Sequence, residues 1–168
     1  ERTADASSAV RRSFWLDLIY PRSCEVCGAP SDSESRYICW NCRAAITWVQ
    51  LPFCARCGDP VAGRVDVAYV CYACADTEPG FDCARSAGRY TGPLRHLLQQ
   101  FKYHEALWLA YDLGAILAAC AISQGLVEGV DAVAWVPLYR ARQRTRGFNQ
   151  ARVLASELAR RLKVPLAP

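Results

Sequence analysis

Four Cys-x-x-Cys pairs fall within the first 74 residues, at Cys24/Cys27, Cys39/Cys42, Cys54/Cys57 and Cys71/Cys74. Two residues between thiolates let a tight turn aim both sulfurs at one ion, the spacing of a metal-binding knuckle. The stretches between pairs hold 11, 11 and 13 residues, short enough for successive pairs to close on each other. The pattern predicts two tetrahedral sites of four thiolates each. Sequential pairing closes the shortest loops; an interleaved arrangement, first pair with third and second with fourth, also satisfies the spacing. Gly28 and Gly58 follow the second cysteine of their pairs, where a knuckle often needs a positive φ.

Zinc is the expected metal. The N-terminal stretch ERTADASSAVRRSF lacks the apolar segment of a secretory signal, so closely spaced thiols point to metal in a reducing cytoplasm rather than to disulfides. Rubredoxin-like iron or a redox pair would use the same spacing. Metal also answers a shortage of core. Between Pro30 and Asp82 few apolar residues show any period, and a structural zinc site supplies roughly 10–16 kcal/mol of apparent folding free energy in their place. No apolar window of about 18 residues is free of charge, so no membrane span is expected; the closest, Ala106 to Ala121, is interrupted by Asp112.

The net charge of +4 is unevenly placed. Residues 1–83 carry 8 basic and 11 acidic side chains, and residues 84–168 carry 12 and 5. A basic second half suggests an anionic partner such as a phosphate, a nucleotide or nucleic acid. The chain contains no methionine, and it is expected to be a fragment or a processed product.

Ser13 to Tyr20 reads as a short amphipathic helix stopped by Pro21. Ala84 to Tyr90 reads as a strand. Pro93 then opens a helix with Leu94, Leu97, Leu98 and Phe101 at i, i+3, i+4 and i+7. On that helix His96 is expected to face solvent. A second helix runs from Ala106 to about Ser123, and Val130 to Val136 reads as a strand apolar enough for a sheet covered on both faces. Pro137 to Gly147 reads as a basic loop. Asn149 is the expected N-cap of a helix over Gln150 to Lys163, with Phe148 and Val153 as a hydrophobic staple and Ala151, Leu154, Ala155, Leu158 and Leu162 buried. Cys83 and Cys120, outside the pairs, read as buried small hydrophobes. Trp40, Trp48, Trp108 and Trp135 read mostly as packing residues.

The loop places Arg140, Arg142, Arg144 and Arg146 within seven residues, directly after the strand. In open α/β sheets ligands bind beyond the carboxyl ends of strands, and guanidinium groups match phosphate oxygens bidentately. Gly147 permits close backbone approach, and the helix start at Asn149 and Gln150 adds donors for an anion. These seven residues form the candidate anion site; a solvated basic loop, or one facing the acidic zinc ribbons, is the competing reading. No catalytic residue is assigned.

These motifs resemble the ComF family of competence-associated proteins. The resemblance rests on the four Cys-x-x-Cys pairs, on Tyr90-x-Gly92-Pro93-Leu94-Arg95 with Phe101-Lys102-Tyr103, and above all on Val136-Pro137-Leu138 through Arg146-Gly147-Phe148-Asn149-Gln150. It implies an α/β fold: a double zinc ribbon over residues 13–78, then the first half of a type I phosphoribosyltransferase-like parallel-sheet domain over 83–168, truncated at the C-terminus. It also implies a cytoplasmic role in uptake or processing of single-stranded DNA during natural transformation. Its partners would be single-stranded DNA or competence-machinery proteins. Phosphoribosyl pyrophosphate, with Mg, is the ligand such a fold is built to hold. Two features depart from the family pattern. Tyr139-Arg140 replaces the His-Pro that often follows Val-Pro-Leu, and no acidic pair followed by Thr-Thr-Gly occurs in residues 1–168. Without that loop the chain is not expected to catalyse phosphoribosyl transfer by itself. The alternative is a non-enzymatic zinc-ribbon adaptor that binds nucleic acid or a protein.

Overall fold

The computed structural model describes residues 22–31, 36–63, 65, 68–77 and 79–167. The helix expected over Ser13 to Tyr20 lies outside them.

The two ribbons are built alike. In the first, the Cys24 amide donates to Ala29 O at 2.7 Å, the Gly28 amide to Cys24 O at 2.8 Å, and Ser23 bridges Pro30. In the second, the Cys54 amide donates to Asp59 O and the Gly58 amide to Cys54 O, both at 2.9 Å, and Phe53 bridges Pro60. Gly28 and Gly58 hold φ of 73° and 71°, as the knuckle turn requires. The second cysteine pair of each ribbon lies on a five-residue helix, α1 (Trp40–Ala44) and α2 (Tyr72–Asp76), entered through Cys39 and Cys71 with matching dihedrals. The Glu25 amide donates to Tyr37 O, and the Ala55 amide to Tyr69 O. The ribbons are thus an internal repeat, with the two extra residues falling in the longer loop before Cys71.

Helix α3 (Gly92–Tyr103) carries Pro93 in its first turn and buries Leu94, Leu97 and Phe101. A 3₁₀ turn, Leu107–Leu109, leads into α4 (Ala110–Ser123), which ends at Gln124 and Gly125, the glycine at φ 67°. Helix α6 (Gln150–Leu162) is capped by Asn149, whose side chain accepts from the Arg152 amide at 3.2 Å. Phe148 and Val153 both pack on the core, with Phe148 edge-on to Phe101 at 5.8 Å. The buried face of α6 is shifted from the sequence reading. Ala155 and Ala159 are buried, Leu154, Leu158 and Leu162 are half-buried, and Ala151 is exposed. Close approach to α4 sets this face: a Cβ on Gly114 would stand 2.6 Å from Glu157 Cβ.

The strands expected from the sequence are reduced to single bridges among the described residues. The segment after Ala84 pairs antiparallel with the linker between ribbons, through Trp48 and Gly88, with the Val49 amide on Ala87 O and the Arg89 amide on Thr47 O. Val133 bridges Leu166 in parallel; its amide donates to Pro165 O, and its carbonyl accepts from Ala167. Neither face is sealed as the apolar run suggested, and Val136 is 80% exposed. A parallel strand is enclosed only when neighbours and helices flank it, and here one partner is present. The basic stretch is also not a simple loop. Arg140–Arg146 forms α5, ended by Gly147 in the left-handed region, because arginine and glutamine are good helix formers.

One core joins the first ribbon to the helices. Cys24, Ile38, Cys39, Cys42 and Ile46 pack in a single cluster with Leu94, Leu97, Phe101, Leu109, Leu113 and Ile116. The region that looked too poor in apolar residues therefore contributes two isoleucines and two thiols to the main core, beside Cys24 just before it.

Candidate metal centres and the basic strand end

The eight cysteines converge into two groups, Cys24/Cys27/Cys39/Cys42 and Cys54/Cys57/Cys71/Cys74, each with all sulfurs within 4.8 Å of one another. Pairing is sequential. Cys27 Sγ lies 3.6 Å from Cys39 Sγ, and Cys57 Sγ 3.7 Å from Cys71 Sγ. Zn–S bonds of about 2.3 Å in tetrahedral array place sulfurs about 3.8 Å apart. These are the edges of a coordination tetrahedron, and all eight thiols are free. Two structural zinc sites of four thiolates each fit the fold.

Backbone donors prepare the sulfurs for the ion. The Cys71 amide donates to Cys54 Sγ at 3.3 Å; this bond outweighs burial, and with the amides of Cys57 and Arg56 brings that thiol down to about 6. Burial opposes ionisation of Cys24, yet the amides of Cys39, Cys27 and Val26 bring it down to about 7. Burial and neighbouring thiols push Cys74 up to about 12 and raise Cys42 too. Without a cation, one thiolate per cluster suppresses ionisation of its neighbours. A divalent ion removes that penalty, because bound thiols deprotonate outright.

The surroundings of the two centres differ. The first is clamped by α3 and α4. Asp112, 5% exposed, accepts from the amides of Arg36 at 3.1 Å and Tyr37 at 2.7 Å, one on each carboxylate oxygen. Trp108 Nε1 donates to the Glu25 carboxylate at 3.1 Å, and Tyr37 lies 6.4 Å from the Trp108 ring. His96 does not face solvent: its Nε2 is 3.0 Å from Glu25 O. The helix face opposite the leucines meets the ribbon, which periodicity within one helix cannot reveal. Tyr111 stacks with two guanidinium groups, Arg36 at 3.8 Å and Arg161 at 4.4 Å, so ribbon, α4 and α6 are joined through one ring. Sequence reading passed over Asp112, though a lone carboxylate in the apolar run from Ala106 to Ala121 was a signal that something must satisfy it.

The basic residues are arranged on α5 and at the start of α6. Arg142 and Arg144 are exposed on α5, and Arg140 and Arg146 are its first and last residues. Gly147 has φ 71°. Asn149 and Gln150 are both buried. Besides capping Arg152, Asn149 donates from Nδ2 to Val136 O at 3.4 Å, and Gln150 donates to Lys102 O at 3.4 Å. These two side chains tie the start of α6 to the strand end and to α3. A cleft of about 480 Å³ opens between α5 and α6, lined by Gln143, Gly147, Asn149, Arg152 and Ser156. The remaining cysteines are not core residues: Cys83 is exposed and Cys120 half-buried. Trp48 packs on the core, whereas Trp40 is largely exposed. Trp108, also exposed, serves as a hydrogen-bond donor at the ribbon edge.

Fold and metal centres define a double zinc ribbon protein. The family model for the double zinc ribbon domain matches residues 15–75. Competence protein F of Haemophilus influenzae is 31% identical over 131 residues, covering 76% of this chain and 55% of that protein. The DNA utilization protein YhgH of Salmonella typhimurium is 29% identical over 145 residues, 84% of this chain and 62% of that protein. YhgH of Escherichia coli K12 is 28% identical over 146 residues, 85% and 63%. With the Val-Pro-Leu to Arg-Gly-Phe-Asn-Gln stretch in place, these similarities support the ComF family. It spans 55–63% of the length of these relatives. No solved structure matches it. None of its described helices is long and apolar enough to cross a membrane.

Proposed function

We propose that this chain acts in the uptake or utilisation of DNA, in the cytoplasm, as the zinc-ribbon part and first transferase-like part of a ComF-type protein. The names of its relatives support the role. The observation that carries the ligand side is the order of elements around Val133: a parallel pairing, a strand end, an arginine-rich helix, Gly147 in the left-handed region, then the Asn149-capped α6. A type I phosphoribosyltransferase-like domain would begin so, over residues 83–168, after a double zinc ribbon over 13–78. The anion in this reading is pyrophosphate or phosphoribosyl pyrophosphate with Mg, approached by the α5 arginines and Gly147. The acidic pair and Thr-Thr-Gly turn that would hold ribose and 5′-phosphate in such a domain do not occur in residues 1–168.

A non-enzymatic adaptor is the second reading, and one observation favours it. The side chains of Asn149 and Gln150 are committed to holding α6 in place, which leaves the arginines and backbone amides as anion donors. Arginines on an exposed helix can follow a phosphate backbone without any built pocket.

One titration separates the readings. The complete protein is mixed with phosphoribosyl pyrophosphate and, separately, with a single-stranded oligonucleotide over a salt series. Stoichiometric binding of phosphoribosyl pyrophosphate, lost in Arg142→Ala/Arg144→Ala, supports the transferase-like site. Single-strand binding alone supports the adaptor, its salt slope falling by about 1.4 in the double variant, at roughly 0.7 per phosphate contact. Failure of both ligands to bind would reject the anion site.

A further inference from the structure

The first zinc centre and the start of α6 are held by the same two helices. On α3, His96 Nε2 stands 3.0 Å from Glu25 O, in the turn between Cys24 and Cys27. Further along that helix the Lys102 carbonyl accepts from Gln150, and Phe101 meets Phe148 edge-on at 5.8 Å. On α4, the Asp112 carboxylate takes the amides of Arg36 and Tyr37 at 3.1 and 2.7 Å. The neighbouring Tyr111 ring lies 3.8 Å from the Arg36 guanidinium and 4.4 Å from that of Arg161 on α6. Arg161 also donates to Tyr111 O at 2.9 Å and pairs with Glu157 at 3.6 Å. Helix α6 is thus gripped at its start through α3 and near its end through α4, and both of those helices grip the first ribbon.

The second ribbon meets a different part of the chain. The Ala84 amide donates to Arg56 O at 2.6 Å, and Arg85 lies 5.0 Å from the Phe53 ring, both on the segment that precedes α3. A zinc ribbon is a two-state element, ordered with its ion and disordered without it. When the first ribbon loosens, the Arg36 and Tyr37 amides leave Asp112, and a carboxylate only 5% exposed loses both donors. An unpaired buried charge is costly, so α4 must shift until that carboxylate reaches water. Arg36 leaves the Tyr111 ring at the same time, and the contacts that place α6 change with it. One bistable element therefore bears on two sites.

We propose that zinc at the first centre and a pyrophosphate-bearing ligand at the start of α6 bind cooperatively, with Asp112, Tyr111 and Arg161 as positioning residues. Zinc at the second centre acts independently of that ligand. This coupling rests on the anion-site reading and adds a regulation of that site: occupancy of one metal centre sets its affinity. Coupling between two sites is reciprocal, so the bound ligand must in turn retain the first zinc. The ligand need not touch the metal for this, because both stabilise the same packing of α3, α4 and α6. Tyr111 is the most informative member of the chain of contacts. Its ring is shared between a guanidinium of the ribbon and one of α6, so removing the ring breaks both contacts and leaves every zinc ligand in place.

The test uses the complete protein in two variants that each keep one zinc: Cys71→Ser retains the first centre and Cys39→Ser the second. Zinc transfer to a metallochromic chelator is timed with and without saturating magnesium phosphoribosyl pyrophosphate. The ligand should slow release from the first centre by about tenfold and leave the second unchanged. Where Cys39→Ser loses its helical circular dichroism, the wild type replaces it, with one of its two equivalents slowed and the other not. Tyr111→Leu in the Cys71→Ser background should keep its zinc and its helical signal but lose most of the slowing. Tyr111→Phe, which retains the ring, should keep it. Arg142→Ala/Arg144→Ala should abolish the slowing, because the ligand no longer binds. The coupling alone is refuted if calorimetry shows the ligand bound, yet it slows both centres alike or neither, or if Tyr111→Leu is slowed as much as its parent. If calorimetry detects no binding to the zinc-loaded protein, the anion-site reading fails and the coupling with it.

Discussion

Replacing Asp112 by alanine should uncouple the first ribbon from the helices. The carboxylate is buried and accepts two amides at 3.1 and 2.7 Å. A hydrogen bond to a charged group contributes about 1.5–3 kcal/mol, and removing the acceptor also leaves two partly buried donors without partners. Because both bonds share one carboxylate they do not add fully, and about 3–5 kcal/mol is expected for the pair. At about 2–4 °C per kcal/mol for a chain of this size, Tm should fall by roughly 6–20 °C. Asp112→Asn should recover part of this loss, since its remaining oxygen serves one amide while its NH2 group opposes the other. Thermal unfolding followed by tryptophan fluorescence gives the Tm. A metallochromic indicator in the presence of a chelator gives the zinc release. One equivalent should leave faster in the alanine variant while the second keeps its wild-type rate. A fall in Tm below about 2 °C, or equal acceleration at both sites, would refute the view that this carboxylate clamps the first ribbon.

The two zinc centres should also differ in what they support. Cys39→Ser removes a ligand from a cluster inside the main core and should reduce helical circular dichroism and zinc together. Cys71→Ser should lose about one equivalent of metal and leave the helical signal intact, because the second centre lies outside that core. The knuckle glycines form a matched pair: a Cβ on Gly58 would meet Ala84 O at 2.5 Å, while one on Gly28 meets nothing, at nearly the same φ. Gly28→Ala should therefore cost about 1–2 kcal/mol from backbone strain alone, and Gly58→Ala distinctly more, read by chemical denaturation. Gly114→Val should destabilise by about 1–3 kcal/mol through overpacking against Glu157, whereas valine at exposed Ala151 should change stability by under about 1 kcal/mol.

Much of the local structure was legible in the residues because it depends on near neighbours. The x-x between cysteines, Gly28 and Gly58 at positive φ, Pro93 at a helix start and Asn149 as N-cap are each settled within a few residues. Cysteine spacing fixed that there are two four-thiol centres, and loop entropy favoured the sequential pairing that the sulfurs adopt. Where the sequence misled, the deciding contact was distant. His96 was assigned to solvent from the leucine stripe of its own helix, but it meets a carbonyl 71 positions earlier in the chain. Cys83 and Cys120 were placed inside on residue type alone, which says nothing of where the chain passes.

Which of two nearly identical ribbons is buried was likewise not in the pattern. Ile38 and Val70 are similar aliphatic residues at equivalent positions, and only the packing of α3 and α4 makes one core and leaves the other on the surface. Metal ligation is a short-range chemical demand that a motif can state in full. Burial and the satisfaction of Asp112 depend on which surfaces come together, and those surfaces exist only once the chain has folded.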